Sequence, residues 1–251
     1  FLPLSLSPPL AFSPLSLPSL FFGDQHCHCA TQVHFVRHGQ AEHNMIALQA
    51  GHGCTCEFGQ FDAERTCPYL NEAVVDPALT ETGQAEALSA RSVFEAMEGT
   101  AMAPQAVFVS PLMRTVQTAT QVFPGRTGLV ALEGFREQMG AHHCDKRSAV
   151  SAIRDTYSHV DFAHVATDED ELWTSERETK LALAQRAQQA LSDLFTLTGP
   201  DTRTVAVITH SALLRSLTRV AMDTSRSPET AKRFQTAEVR SILVQRQSSG
   251  D

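Results

Sequence analysis

The chain has 251 residues, 42% of them hydrophobic, enough to bury the core of one domain of ordinary size. Its formal charge of −8, with 20 Lys and Arg dispersed along the sequence, provides no basic field for nucleic acid or anionic lipid, so an anionic ligand must be held by local groups. Six unevenly placed cysteines do not make a disulfide scaffold and point to a reducing, cytoplasmic setting.

Residues 1–22 carry no charge, but their prolines recur every few positions and interrupt any helix long enough to cross a bilayer. No membrane partner is expected. Lacking an initiator Met, the basic start of a signal peptide and the arginines of a transit peptide, residues 1–30 read as a disordered low-complexity tail or a targeting remnant. Residues 31–248 read as the folded domain.

In TQVHFVRHG, Val33 and Phe35 stand in a short apolar run that stops at Gly39, as a buried strand would. From Gly51 to Leu70 no clean period survives, so a long surface excursion is expected before DPALTETG restores order. Over residues 83–98, Ala85, Leu88, Val93, Phe94 and Met97 recur at three and four spacings and predict one helix face. AVFVS follows as a strand. Ser110 and Pro111 then read as an N-cap hydroxyl and a first-turn proline opening a helix to about Val122. GLVALEG is a third strand, and residues 175–197 form a long amphipathic helix with Leu181, Ala184, Ala187, Leu191, Leu194 and Phe195 inward. RTVAVITH is a buried strand running directly into the helix SALLRSLTRVAM, and AEVRSILVQRQ supplies a last strand. Strands alternating with helices predict an α/β domain of three layers, a mainly parallel sheet flanked by helices.

Three of these strands end in polar motifs: Arg37 and His38, Ser110 and Arg114, Thr209 and His210. In an open α/β sheet, ligands bind beyond the carboxyl ends of strands, so these groups would meet in one crevice if their strands are neighbours. Two arginines, two imidazoles and a helix start at Ser211 suit a phosphate. A neutral imidazole also approaches a phosphate dianion without the repulsion that a carboxylate or thiolate nucleophile meets.

RHGQAEHN, LTETGQAEA, SPLMRTVQTA, REQMGAHHCDKR and VITHSALLRSL, in that order from about Val33 to Leu217, resemble the ordered motifs of the histidine phosphatase superfamily, the phosphoglycerate mutase-like proteins. RHG alone is a weak signal; the set is specific. REQMGAHHCDKR with DEDELWTSERET after it further resembles the small fungal and plant phosphomutase-like members. The resemblance implies that His38 becomes phosphohistidine, that Arg37, Arg114 and His210 clamp the phosphoryl oxygens, and that Asn44 contacts the same phosphate. It makes Glu137 the acid that protonates the leaving group, with Asp145 in reserve, and places His142 and perhaps Arg147 on the substrate side. It implies no metal and no cofactor.

His34, His159 and His164 read as structural histidines. The clusters His26–Cys29 and His52–Cys56, with Cys67 after them, invite a zinc reading, but their CxC pairs lack the usual two-to-four-residue gap. The sequence therefore points to a phosphatase acting on a small phosphomonoester through His38, with a phosphomutase or a non-catalytic phosphate-binding protein as alternatives. Nothing in it specifies the substrate or the oligomeric state.

Overall fold

The computed structural model describes residues 30–51, 67–220 and 232–245. The expectations for residues 1–29, and for the excursion at 52–66, lie outside the described residues. The strands are β1 (Ala30–Arg37), β2 (Ala106–Val109), β3 (Leu129–Ala131), β4 (Val160–Asp161), β5 (Thr204–Thr209) and β6 (Val239–Gln245). Helices α1 (Glu42–Gln49), α2 (Glu81–Glu95), α3 (Met113–Val122), α4 (Val150–Thr156), α5 (Lys180–Thr198) and α6 (Ser211–Val220) connect them. No described helix is long and apolar enough to cross a membrane.

The sheet runs β4-β3-β2-β5-β1-β6, parallel throughout except for β6, which pairs antiparallel with β1. Its central strands are continuous apolar runs because both faces are covered. Val36, Val107, Val109 and Ile208 face α2, α3 and α4; Val33, Phe35, Phe108, Val205 and Val207 face α5 and α6. The alternation produces the three layers that the sequence predicts.

Several local expectations need correction. The buried face of α2 is Gly83, Ala87, Ala90 and Phe94, while Leu88 and Val93 are exposed. Small residues face the sheet along the first turns because this helix approaches it closely there, and Phe94, as expected, is buried at its far end. Leu181 of α5 is likewise exposed, and Leu183 and Ala190 join the inward stripe instead. Ser110 does not cap α3, which starts at Met113. Its first-turn Met113 N–H is capped from a distance by the Asp76 carboxylate at 2.8 Å, while the other Asp76 oxygen accepts from Ser148 N–H at 2.9 Å. Cys67 is disulfide-bonded, against the expectation of reduced thiols, and Cys144 is free and buried.

Two glycines set how near α2 comes to the end of β1. A Cβ at Gly39 would meet the Gly83 carbonyl, and a Cβ at Gly83 would meet the Gln40 carbonyl. Both obstacles are backbone and cannot rotate away. The same contact is tied by Thr80 N–H to Gln40 C=O at 3.0 Å and by the bridge between Ala41 and Leu79. Gly83→Ala is therefore expected to cost about 2–3 kcal/mol, as overpacking does, read as a lower urea midpoint at unchanged slope. A variant as stable as the parent would mean that the two backbones part freely.

Candidate active site

Because β2, β5 and β1 are parallel neighbours, their carboxyl ends deliver Ser110, His210 and Arg37–His38 to one edge of the sheet. The ends are locked in register: His38 N–H donates to Thr209 C=O at 2.9 Å and Ser110 N–H to Ile208 C=O at 3.0 Å. The His38 and His210 ring centroids lie 5.1 Å apart, and His43 from α1 stands 5.8 Å from His38. A cavity of about 70 Å³ opens here, against roughly 30 Å³ for one water in the liquid, so its enclosed part admits a group of a few atoms.

The His38 Nδ1 lies 2.6 Å from the Gly39 carbonyl. A carbonyl only accepts, so Nδ1 carries the proton and Nε2 presents its lone pair. The His210 Nε2 is 2.8 Å from the Ser110 hydroxyl, while its buried Nδ1 has no partner among the described residues. Asn44 accepts the Ala41 N–H on its amide oxygen at 3.1 Å, which leaves the amide nitrogen facing His43 Nε2 at 3.0 Å. The proton of neutral His43 then sits on Nδ1, which is buried and unpartnered among the described residues.

Arg37 donates to Phe234 C=O at 2.9 Å and keeps a buried Nε without a partner among the described residues. Arg114 is fully buried behind the cavity wall, held by Cys144 C=O at 2.7 Å and the Asp145 carboxylate at 2.8 Å, again with an unpartnered Nε. Glu137 sits over the start of α6, accepting from Ala212 N–H at 3.0 Å and Leu213 N–H at 3.2 Å, with the Ser211 hydroxyl at 3.3 Å. An acidic group at a helix N-terminus is favoured by the orphan N–H donors and the helix dipole. His142 lines the cavity with its Nδ1 3.7 Å from Asp145.

Arg147 is not brought to the cavity. It is buried in a polar network of its own, spending Nε on Glu133 and its terminal nitrogens on the carbonyls of Ser148, Thr167, Asp168 and Glu169. That occupancy leaves it no free fork for a substrate, and it serves the loop instead.

The electrostatics divide the titratable groups cleanly. Burial above all, then the charges of Arg114 and Arg37 and the proximity of His43, hold His38 well below the ordinary histidine value. His210 is lowered well below it by burial, then by Arg114 and His38; His43 by burial, then by Arg114, with Asp145 opposing. All three imidazoles are neutral near pH 7. Asp145 goes the other way. Burial alone would raise it, but the proximity of His142 and the charges of Arg114 and Arg177 outweigh burial and keep it well below the usual carboxylate range. An ionised Asp145 has no proton to donate.

The structure adds residues that the motifs did not single out. Tyr69 packs against His43 and His142, with centroid distances of 5.6 and 5.3 Å. Arg177 bridges Gly140 C=O and Asp145 at 2.8 and 2.9 Å. Arg186 of α5 donates to the carbonyls of Gly134, Arg136 and Glu137, fixing the turn that carries Glu137. His43 could have been found inside RHGQAEHN; Arg186 carries no sequence signal beyond a charge on an amphipathic helix.

A site of guanidinium groups, neutral imidazoles and a helix start is built to receive a tetrahedral anion. Residues 59–250 match the family described as histidine phosphatase superfamily (branch 1). This chain belongs to the histidine phosphatase superfamily. The matched span begins beyond β1, so the placing of His38 rests on the strand register and the ring geometry. Among curated relatives, "Phosphoglycerate mutase-like protein 1" of Arabidopsis thaliana is 28% identical over 252 residues, covering 86% of this chain and 82% of its own. "Probable phosphoglycerate mutase PMU1" of Saccharomyces cerevisiae is 27% identical over 211 residues, covering 73% and 70%. In fold, the chain is similar to the ecdysone phosphate phosphatase of Bombix mori (TM-score 0.53, 18% identity, 88% of this chain and 97% of the other). It is similar also to a mycobacterial glucosyl-3-phosphoglycerate phosphatase (TM-score 0.51, 21% identity, 86% and 96%).

In this member of the histidine phosphatase superfamily the buried imidazoles have a consequence for stability. A histidine lowered in the fold takes up a proton on unfolding, so its contribution is complete above the ordinary value of 6.5 and is lost as pH falls below it. Each site can contribute up to about 1.4 kcal/mol per pH unit. In phosphate-free buffer, Tm should fall steadily from about pH 7 to about pH 5. His210→Gln should flatten that slope. A Tm constant over the interval would show that the rings are already charged in the folded protein.

Proposed function

We propose that this protein is a phosphatase that takes the phosphoryl group of a small phosphomonoester onto His38 Nε2 and passes it to water. The observation that carries the reading is the contact of His38 Nδ1 with the Gly39 carbonyl, which leaves Nε2 as the lone-pair nitrogen facing guanidinium and imidazole groups. In the first step Nε2 bonds to phosphorus as the bond to the alcohol oxygen breaks, and Glu137, which takes up a proton as the phosphate anion binds beside it, supplies the proton that the leaving oxygen needs. In the second, water attacks phosphorus, the N–P bond breaks, and Glu137 takes the water's proton. Arg37, Arg114, His210 and the α6 start stabilise the equatorial oxygens. His210 and Arg114, behind the cavity wall, each keep a nitrogen that is unpartnered among the described residues and so available to the phosphoryl oxygens, and Asn44 and His142 line the cavity. The scheme needs no metal, and residues 31–248 form the domain that carries it out.

A phosphomutase would share every step except the acceptor, and the names of the curated relatives keep that reading in play. Hydrolysis is favoured by the brevity of the segment between Asp145 and α5. It holds a seven-residue helix and a two-residue strand, short of the inserted helices with which the resembled glycolytic mutases enclose their intermediate.

Hydrolysis of an aryl phosphate should resist chelator and fall by about 10³-fold or more in His38→Ala, as loss of a covalent nucleophile does. The intact protein should yield an acid-labile phosphohistidine on rapid quench. Glu137→Gln should cost about 10²–10⁴-fold in kcat, with the larger loss on alkyl esters, whose leaving oxygens need the proton most. Equal turnover by the parent and His38→Ala would end this reading.

A further inference from the structure

The carbonyl that fixes the His38 tautomer is itself held from behind. Gly39 C=O, which accepts from His38 Nδ1 at 2.6 Å, belongs to the same peptide unit as Gln40 N–H. That N–H donates to the Glu86 carboxylate at 2.7 Å. In a trans peptide the C=O and N–H point in opposite directions, so Glu86 and the His38 ring lie at the two ends of one planar group. Glu86 itself does not line the cavity.

The placement follows from the close approach of α2. Glu86 stands one turn after Gly83, whose backbone contact with Gly39 and Gln40 brings the carboxylate within reach of the Gln40 N–H. The flanking peptides are pinned as well. Gly39 N–H donates to Thr118 Oγ1 at 3.1 Å, the Thr118 hydroxyl donates to Arg114 C=O at 2.7 Å, and Gln40 C=O accepts from Thr80 N–H at 3.0 Å. The second Glu86 oxygen accepts from the Thr236 hydroxyl at 2.7 Å, so both oxygens are engaged. The negative charge reaches the site, since it counters the burial that lowers Arg37. A carboxylate that accepts a peptide N–H draws electron density toward the oxygen of the same amide, and hydrogen bonds chained in this way strengthen one another.

We propose that Glu86 is a positioning residue for the phosphoryl transfer, acting on His38 through the Gly39–Gln40 peptide. This rests on the reading that His38 Nε2 takes the phosphoryl group. As Nε2 gives its lone pair to phosphorus and the bond to the alcohol oxygen breaks, the ring keeps its Nδ1 proton and becomes positive. The surrounding guanidinium groups oppose that charge. A Gly39 carbonyl made more negative by Glu86 at its far end stabilises it. One peptide unit separates the anion from the ring, so the nucleophile gains a carboxylate partner while no carboxylate is set against the incoming phosphate dianion.

Glu86→Gln tests the proposal because it removes the charge and keeps the shape: the amide oxygen can still accept from Gln40 N–H and the amide nitrogen can donate to Thr236. In single-turnover rapid quench with an aryl phosphate, phosphohistidine should form about tenfold more slowly, the difference between a charged and a neutral acceptor. In the steady state the loss should fall in kcat rather than KM, with the urea midpoint close to the parent's. In proton NMR, the His38 Nδ1 proton, identified by its absence from His38→Gln, should move upfield in Glu86→Gln. Thr236→Val removes the other anchor of Glu86 but leaves the charge on the peptide, and should transfer within about threefold of the parent. A purely structural role predicts the opposite order, with Glu86→Gln as fast as the parent and Thr236→Val impaired. That order, or an unmoved His38 resonance, overturns the proposal. A parent that forms no phosphohistidine would instead remove the reading on which the proposal rests, and the proposal with it.

Discussion

The parallel register between β1 and β5 is the constraint on which the site depends. It runs from Gln32 opposite Thr204 to Arg37 opposite Thr209, and its last bond is His38 N–H to Thr209 C=O. Beyond that bond both strands leave the sheet together, so two histidines 172 positions apart in sequence arrive with their rings 5.1 Å apart. A slip of one residue would turn the side chain at each strand end to the opposite face. The continuous apolar pattern of both strands, buried on each side, makes that slip expensive, and so the core specifies the geometry of the chemistry.

The second constraint is how positive charge is kept in a buried place. Four guanidinium groups that are almost wholly buried, those of Arg37, Arg114, Arg136 and Arg147, lie in or behind the site. Buried ions are costly unless their hydrogen bonds are met. Arg136 is met by Asp170, Glu133 and Asp145 C=O, and Arg147 by Glu133 and four carbonyls. These two organise the segment from Glu133 to Ser148, which carries Glu137, His142 and Asp145. A buried Nε unpartnered among the described residues is common to Arg37, Arg114 and Arg136, whereas Arg147 has none. Arg147 spends its Nε and both terminal nitrogens on Glu133 and four carbonyls, which is why, although it shares a motif with Asp145, it belongs to the scaffold.

Much of this was legible in the sequence, for identifiable reasons. β1, β2 and β5 are buried on both faces, so each reads as an apolar run ending in polar residues, and their adjacency follows from α/β architecture. What misled was local. The α2 periodicity picked Leu88 and Val93 because they are bulky, whereas the Gly39–Gly83 contact brings the start of the helix so close that small residues, Gly83, Ala87 and Ala90, lie beneath it, with Phe94 buried only at the far end. Ser110 and Pro111 looked like a helix start, yet the hydroxyl turns to His210 and Asp76 caps α3 from 37 residues away. β4 is two residues long and α4 seven, too short for any period to register. Tyr69, Arg177 and Arg233 reach the cavity from loops, where sequence carries no period to place a side chain.

The same burial that makes His38 useful makes the fold sensitive to acid. On the phosphatase reading, the nucleophile has to be uncharged with its lone pair on Nε2. The Gly39 carbonyl settles which nitrogen keeps the proton, and burial beside Arg114 and Arg37 settles that there is only one. An exposed imidazole, near its ordinary 6.5, would be partly protonated at neutral pH and would lose nucleophile in proportion. Packing His38, His43 and His210 side by side removes that loss, because each ring disfavours a proton on its neighbour. The cost appears when the chain unfolds in acid and all three rings are free to charge. A phosphate dianion in the cavity acts against this cost, since it stabilises positive charge on the rings and guanidinium groups around it, so occupancy of the site and stability of the fold are coupled through the same few residues.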